Sequence, residues 1–440
     1  MGGNHGHGAA VPASRRAVMA SVAVLVPLAV ITLACLVWLW PSGGAAGDPA
    51  GGGPEAGAPA QVARVTGTIT YVQLGRCQKT AEGAPKPDPA TCGRATVKVA
   101  DGPDAGREVT LRLPSGPGAQ RFSAGDDVVL VPSGGGEQGG GQEYQISDHD
   151  RASSLWLFGA ALALAVIAFG RWRGLSALAG LAVTFALLLT FVIPGIVEGR
   201  PPMLVAIVGA SAIMLTVLYL THGFSLATST AVLGTLASLA LTGLLAYAAI
   251  GLARLNGVTD DIALTVGMSL SIDTQGLLLA SIIIGALGVL DDVTVTQSVT
   301  VAELAAANPS YGFARLYRAA ARVGRAHIAS VINTIILAYA GASLPLLLLF
   351  SIGEQPLGEV LTTPVIAQEI VRSVVGTLGL IAAVPITTAL AALVASRRDP
   401  GTAHPGEEHG HGHGHAHGHG HAGQPDSGLP STRSLRRARS

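Results

Sequence analysis

Two adjacent carboxylates lie inside one of the long apolar segments of this chain, and hydroxyl and amide side chains follow shortly after them. Carboxylate, hydroxyl and carbonyl oxygens are the ligands that hard cations prefer. Two like charges on neighbouring residues also favour keeping a proton on one of them. The pattern predicts an ion- or solute-binding site formed by Asp291, Asp292, Thr296, Gln297 and Glu303.

The spacing of these polar residues predicts two stripes if a helix continues through the region. One stripe contains Asp292, Thr296 and Glu303, and the other begins at Asp291. Both carboxylates would then face the interior between helices, because a charge at the centre of a bilayer costs at least ~2.5 kcal/mol. If the helix instead ends near Leu290, the two aspartates only cap an interfacial helix end. The sequence is compatible with both interpretations.

A second group of candidate ligands lies near the end of the chain, where histidine alternates with glycine or alanine. Imidazoles at this spacing chelate Zn or Ni with little geometric selectivity. We expect Zn or Ni to bind here and expect no other cofactor, while low-complexity composition without a physiological metal role is the alternative. The candidate metal ligands are His409, His411, His413, His415, His417, His419 and His421.

Two of the three cysteines, Cys77 and Cys92, fall in a polar segment that is expected outside the cytoplasm. Disulfides persist in oxidising compartments, and closing a 15-residue loop stabilises a fold by ~3 kcal/mol in the chain-entropy model. The sequence therefore predicts a structural disulfide between them.

Composition identifies the class of protein that must position these residues. Of the 440 residues, 49% are hydrophobic and only 12% are charged, and the mean hydropathy is +0.49. A soluble domain has ~25% charged residues, so the composition argues against a soluble cytosolic enzyme. The 27 basic residues balance the 27 acidic ones, which gives no basis for nucleic-acid binding. The chain also lacks a nucleophile elbow, a phosphate loop and a zinc-protease helix, and we expect no enzymatic activity.

Eight apolar runs of 16 to 27 residues are of about the length that crosses a bilayer, which is roughly 18 residues or more. They predict an α-helical polytopic membrane protein with eight transmembrane helices. The runs are Val18–Trp40, Leu155–Gly170, Leu175–Ile193, Met203–Thr221, Ser225–Gly251, Gly276–Val301, Ile328–Phe350 and Ile370–Ala395.

Basic residues cluster in alternate connections between these runs, for example Arg171 with Arg173, and Arg397 with Arg398. Because basic residues of short loops stay in the cytoplasm, both termini are predicted to be cytoplasmic. The predicted parts are a cytoplasmic N-terminus (1–17), an anchor helix (18–40), a flexible tether (41–60), an extracytoplasmic β-rich domain (61–153), a seven-helix membrane domain (154–397) and a disordered His-rich cytoplasmic tail (398–440).

The extracytoplasmic segment carries short β-branched runs separated by Gly, Pro and Asp turns. About five strands in this length predict a small β-barrel or sandwich between the first and second transmembrane helices. The predicted strands are Val62–Val72, Ala95–Ala100, Glu108–Leu113, Asp127–Val131 and Tyr144–Ile146.

Three features together resemble the YibE/F family of bacterial membrane proteins. They are the glycine-rich helix that runs into Asp291-Asp292-Val293, the preceding small β-rich domain, and the segment Tyr144 to Arg151 before the second transmembrane helix. The resemblance covers about residues 60 to 397. It implies this architecture and a bacterial plasma membrane location, but no particular activity.

Two functions are compatible with this architecture. In the first, the chain is a permease or ion-coupled transporter that uses the Asp pair, with Pro345 and Pro385 interrupting helices as they do in transporters. In the second, it is a membrane-anchored scaffold or sensor whose outer domain binds a ligand or partner. The expected partners are the lipid bilayer and an unidentified small solute or ion, and the sequence does not predict the oligomeric state.

Overall fold

The computed structural model of the protein describes residues 15–41, 64–77, 88–116, 118–133, 144–258, 272–352 and 356–397. Within these ranges, a small β domain lies between the first helix and a group of long apolar helices. The histidines at residues 409–421 lie outside the described ranges, so the proposed metal binding of the tail stays a prediction.

Alternating apolar residues give the β domain one buried face, as expected for strands that are covered on one side. In the described residues the strands are β1 (Val65–Leu74), β2 (Gly93–Val99), β3 (Glu108–Arg112), β4 (Asp127–Pro132) and β5 (Tyr144–His149). They form one antiparallel sheet in the order β3-β2-β1-β4-β5. Each of the five predicted strands overlaps a strand of this sheet.

The sheet is neither the closed barrel nor the two-layer sandwich that the strand count suggested. It curls so that the edge strands β3 and β5 come into contact, yet among the described residues no hydrogen-bonded ladder joins them. The inner face buries residues such as Ile69, Val97 and Leu130, with Phe122 from the β3–β4 connection packed against them. One curled sheet therefore encloses its own core.

A disulfide joins Cys77 and Cys92, whose Cα atoms are 5.0 Å apart. It connects the chain that leaves β1 to the residue that precedes β2. The pairing expected from sequence is thus the one that the structure contains.

The remaining described residues are mostly helical. The helices are α1 (Arg15–Trp38), α2 (Ala152–Leu187), α3 (Ile193–Val197), α4 (Pro202–His222), α5 (Leu226–Leu252), α6 (Thr274–Ala307), α7 (Phe313–Ala342), α8 (Leu344–Ile352), α9 (Leu357–Thr362) and α10 (Pro364–Ser396). A π-helical turn, Leu188–Val192, joins α2 to α3. Seven helical stretches of the described chain are long and apolar enough to cross a membrane, which makes this a membrane protein.

The difference between seven stretches and the eight expected spans arises at one place. The second and third expected spans fall in a single stretch, Ala152–Val197. The helix inside it is broken at Arg171, whose φ is 51° and ψ is −128°. A Cβ added at Gly174 would collide with the carbonyl oxygen of Val166, although residues eight apart in a straight helix are ~12 Å apart. The chain therefore bends sharply at Arg171.

Helices α5, α6 and α10 have the most extensive mutual contacts and form the centre of the helical region. Small residues allow this close approach. A Cβ at Gly234 of α5 would collide with Thr387 of α10, and a Cβ at Gly379 of α10 would collide with Thr242 of α5. Around this centre, α4 packs against α6, and α7 packs against α10 and α6.

Candidate functional site

The Asp pair lies near the middle of α6, a helix of 34 residues. At 1.5 Å per residue the pair is ~25 Å from either end of the helix. Because α6 continues without interruption past Leu290 to Ala307, the interpretation in which the aspartates cap a helix end is wrong. Both carboxylates therefore lie within a long apolar helix, far from its two ends.

Asp291 and Asp292 have different surroundings. Asp291 is half-buried, and its Oδ1 atom is enclosed without a hydrogen-bond partner in the described part of the chain. The side chain of Asp292 is 73% exposed, and its Oδ2 atom lies 3.9 Å from Nε2 of His327 on α7. The two side chains thus point in different directions, as a rotation of ~100° per residue requires.

The structure separates the predicted site residues into two groups. Gln297 is fully buried between α6 and its neighbours, on the side of the helix that also carries Thr294 and Ser298. Thr296 is half-buried, and Glu303 is exposed like Asp292. The stripe that begins at Asp291 therefore faces the buried region between the helices, and the stripe of Asp292, Thr296 and Glu303 does not.

Three side-chain hydrogen bonds join the part of α6 after Asp291 to its neighbours and define a polar seam, the buried hydroxyl and amide side chains between α5, α6 and α10. Each joins a side chain of α6 to a threonine of α5 or α10. The bonds are Thr235 Oγ1 to Thr294 Oγ1 at 2.6 Å, Thr230 Oγ1 to Ser298 Oγ at 3.3 Å, and Thr388 Oγ1 to Gln297 Oε1 at 3.0 Å.

The seam is not fully satisfied by hydrogen bonds. In the described chain, Nε2 of Gln297 and Oγ1 of Thr387 are both enclosed and lack partners. A buried polar group without a partner costs ~1–3 kcal/mol, so native proteins satisfy such groups, with ordered water where necessary. These two atoms and Oδ1 of Asp291 are therefore places where water, an ion or a polar solute would be stabilised.

Glycines shape the space around the Gln297 amide. A Cβ at Gly324 of α7 would lie 2.7 Å from Nε2 of Gln297 and 2.7 Å from Cγ1 of Val384 on α10. Real Cβ atoms do not approach other atoms this closely, so glycine is required here to leave room for the amide. Helix α7 thereby closes one side of the seam.

Sequence reasoning missed the contribution of α5 and α10. On α5, Thr235, Ser238 and Thr242 are all buried, and their spacing of three and four residues is a helical stripe that would have predicted a polar face. Thr387 and Thr388 of α10 carry no such signal, because two adjacent threonines fit any helix surface. Among the described residues no group of three His, Cys, Asp or Glu side chains is arranged to hold a metal ion.

A second polar cluster lies where β5 meets α2. Arg151 donates to both carboxylate oxygens of Asp148, at 2.7 and 2.9 Å. These bonds, with a further one from the backbone N–H of His149, hold the pKa of Asp148 well below its usual range. The segment Tyr144 to Arg151 thus fixes the junction between the β domain and the first helix after it.

Comparison with known proteins gives one match. The family model described as YibE/F-like protein matches residues 158–397, which contain the polar seam and both aspartates but not the β domain. No curated protein and no solved structure matches the chain.

Proposed function

The chain belongs to the YibE/F-like family, and on this premise we propose that it is an ion-coupled permease in which Asp291 carries a proton or a cation. The observation that carries the proposal is the enclosed, unpartnered Oδ1 of Asp291 near the middle of α6. Ionisable groups at membrane depth are costly and usually mark ion or proton pathways. A proton, a cation or water supplies the missing partner of this carboxyl group.

The polar seam supports movement of a polar species beside Asp291. Its hydroxyls offer oxygen ligands to a cation, and the unpartnered Gln297 Nε2 and Thr387 Oγ1 offer hydrogen bonds to water or solute. Transporters bind substrate and coupling ion near the bilayer midplane, between packed helices. A site between α5, α6 and α10, with α7 beside it, would likewise lie between packed helices.

The proposal includes a topology of eight spans in the bacterial plasma membrane. The sharp bend at Arg171 supports two crossings within the stretch Ala152–Val197, because this stretch has about twice the length that one crossing needs. Both termini are then cytoplasmic, and residues 41–153 are outside. The proposal assigns no chemical reaction to the chain and assigns Zn or Ni only to the tail histidines.

The test is solute uptake by proteoliposomes under an imposed proton or sodium gradient, with a panel of small solutes. We expect Asp291→Asn to abolish gradient-driven uptake, because the amide keeps the size of the side chain but has neither a transferable proton nor the negative charge that balances a cation. Asp291→Glu should retain part of the uptake because it keeps the carboxyl group.

The matched control is Asp292→Asn, the same substitution at the adjacent, exposed carboxylate. It should leave uptake within about twofold of wild type. Full uptake by Asp291→Asn would remove Asp291 from the mechanism and favour the scaffold or sensor function. Loss of uptake in both Asn variants would contradict the distinction between the two carboxylates.

A further inference from the structure

One end of the outward-facing side of the β sheet carries a row of cationic and amide side chains. Gln73 of β1 lies opposite Arg94 of β2, and Arg94 lies opposite Arg112 of β3. Arg76 follows two residues after the end of β1. Like charges on directly opposite strand residues are destabilising, so the Arg94–Arg112 pair lowers the stability of the fold.

These three arginines have no acidic partner in the part of the chain that the structure describes. Elsewhere in the domain, arginines are paired with aspartates: Arg107 with Asp104, Arg121 with Asp88, and Arg151 with Asp148. Arg76, Arg94 and Arg112 make no such pair and are all exposed. No acidic side chain among the described residues therefore pairs with these three guanidinium groups.

The same three arginines line one pocket of about 350 Å³. The described lining includes Gln73 and the Cys77–Cys92 disulfide and contains no acidic residue. Asp88, whose carbonyl oxygen lies 3.5 Å from Sγ of Cys92, directs its carboxylate to Arg121 at 2.6 Å. The pocket therefore carries three positive charges that the described residues leave uncompensated.

The disulfide and one glycine fix the geometry of this pocket. The bond between Cys77 and Cys92 holds the residue after Arg76 against the start of β2, two residues before Arg94. Gly93, with φ of +148°, lies so close to β1 that a Cβ would collide with the carbonyl oxygen of Gln73. Arg76 and Arg94 are thus both held close to the disulfide, and both line the pocket.

We propose that this pocket is a binding site for a phosphate-type oxyanion, either free phosphate or the phosphate of a lipid headgroup. Guanidinium groups donate paired, charge-assisted hydrogen bonds to such anions. A tetrahedral phosphate group has at least two non-ester oxygen atoms, which can accept from several guanidinium groups at once. Its charge also removes the repulsion between Arg94 and Arg112, which gives the otherwise unfavourable pair a function.

The experiment is isothermal titration of inorganic phosphate into the full-length protein in phosphatidylcholine nanodiscs. We expect saturable binding that Arg94→Gln and Arg112→Gln each weaken by about tenfold or more, since a hydrogen bond to a charged group contributes ~1.5–3 kcal/mol. The matched control is Arg64→Gln, which removes the same charge from an exposed residue that does not line the pocket.

A second measurement separates the two sources of phosphate. Nanodiscs that contain phosphatidylglycerol should leave phosphate binding unchanged if the ligand is free phosphate. They should abolish phosphate binding if headgroups already occupy the pocket. In that case Arg94→Gln should not restore phosphate binding in the same discs.

Two results would overturn the proposal. One is the absence of phosphate binding by the wild-type protein in phosphatidylcholine discs together with no effect of phosphatidylglycerol on its unfolding temperature. The other is equal weakening by Arg94→Gln, Arg112→Gln and Arg64→Gln, which would indicate only a response to net charge. Because the readout is binding and needs no transport, the result is independent of the proposed permease function.

Discussion

Asp291 and Asp292 show how strongly position on a helix decides the role of a side chain. Asp291 is half-buried and has an enclosed carboxyl oxygen atom. Asp292 is exposed, and its carboxyl group lies near His327. Enclosing a polar atom without a partner costs free energy, and in the described residues this applies to Oδ1 of Asp291. The functional hypothesis therefore concerns Asp291 rather than both members of the pair.

The Gln297 amide gives a prediction about packing at the same scale. Gly324→Ala should lower the thermal unfolding midpoint of the protein in detergent, because the new methyl group would overlap both Gln297 Nε2 and Val384 Cγ1. Overpacking of this kind typically costs ~1–3 kcal/mol.

Gly341→Ala is the matched control, since a Cβ at this position of α7 meets nothing within 4 Å. Alanine is favoured over glycine in a helix by ~1 kcal/mol, so this variant should be as stable as wild type or slightly more stable. Equal effects of the two substitutions would show that α7 does not pack against the Gln297 amide.

The sequence could identify the Asp pair and Gln297, because charged and amide side chains are rare in apolar helices. It could not show which aspartate faces inward, since that depends on how α5 and α10 pack against α6. The partners of Gln297, namely Thr388 and Gly324, lie on other helices and have no distinguishing pattern of their own.

At the scale of elements, hydropathy located the helices well and their ends less well. The predicted span Gly276–Val301 is extended to Ala307 in α6, where Ala305 lies in a buried cluster with Ala391 and Ala392 of α10. The residue at the bend, Arg171, is neither glycine nor proline, the residues that usually mark a turn. The sequence therefore could not predict how sharply the chain bends there. Likewise, strand alternation predicted five strands but not how far the sheet would close.

The junction between β5 and α2 gives a prediction of pH dependence. The pKa of Asp148 is lowered by Arg151, so the pair stabilises the fold above the unfolded-state pKa of about 4, and this stabilisation is lost as the pH falls through the lower folded-state pKa. Asp148→Asn should reduce hydrogen-exchange protection of residues 144–151 at neutral pH.

The same measurement in acid provides the control. After correction for intrinsic exchange, wild-type protection of this segment should fall as the pH drops below about 4, whereas protection in Asp148→Asn should change less. Parallel acid profiles for the two proteins would show that the Asp148–Arg151 pair does not stabilise the junction. The expected effect is small, because ion pairs at exposed positions contribute little.

At the scale of the whole molecule, the topology proposal can be tested by labelling. A cysteine introduced at Ala50 should react with a membrane-impermeant thiol reagent in intact cells, and one at Gly406 should react only after permeabilisation. The protein without an introduced cysteine is the control: Cys77 and Cys92 are bonded to each other, and it measures any reaction of the free thiol of Cys35. Equal labelling of both positions in intact cells would contradict the assignment of the two sides.

The central claim is that Asp291 holds a proton or a cation inside the membrane, and infrared difference spectroscopy tests it without knowledge of the solute. Spectra of the full-length protein in nanodiscs are compared before and after a change of pH or of sodium concentration. We predict a carboxyl-group signal that is present in wild type and Asp292→Asn and absent in Asp291→Asn. A difference spectrum that Asp291→Asn leaves unchanged would contradict the account.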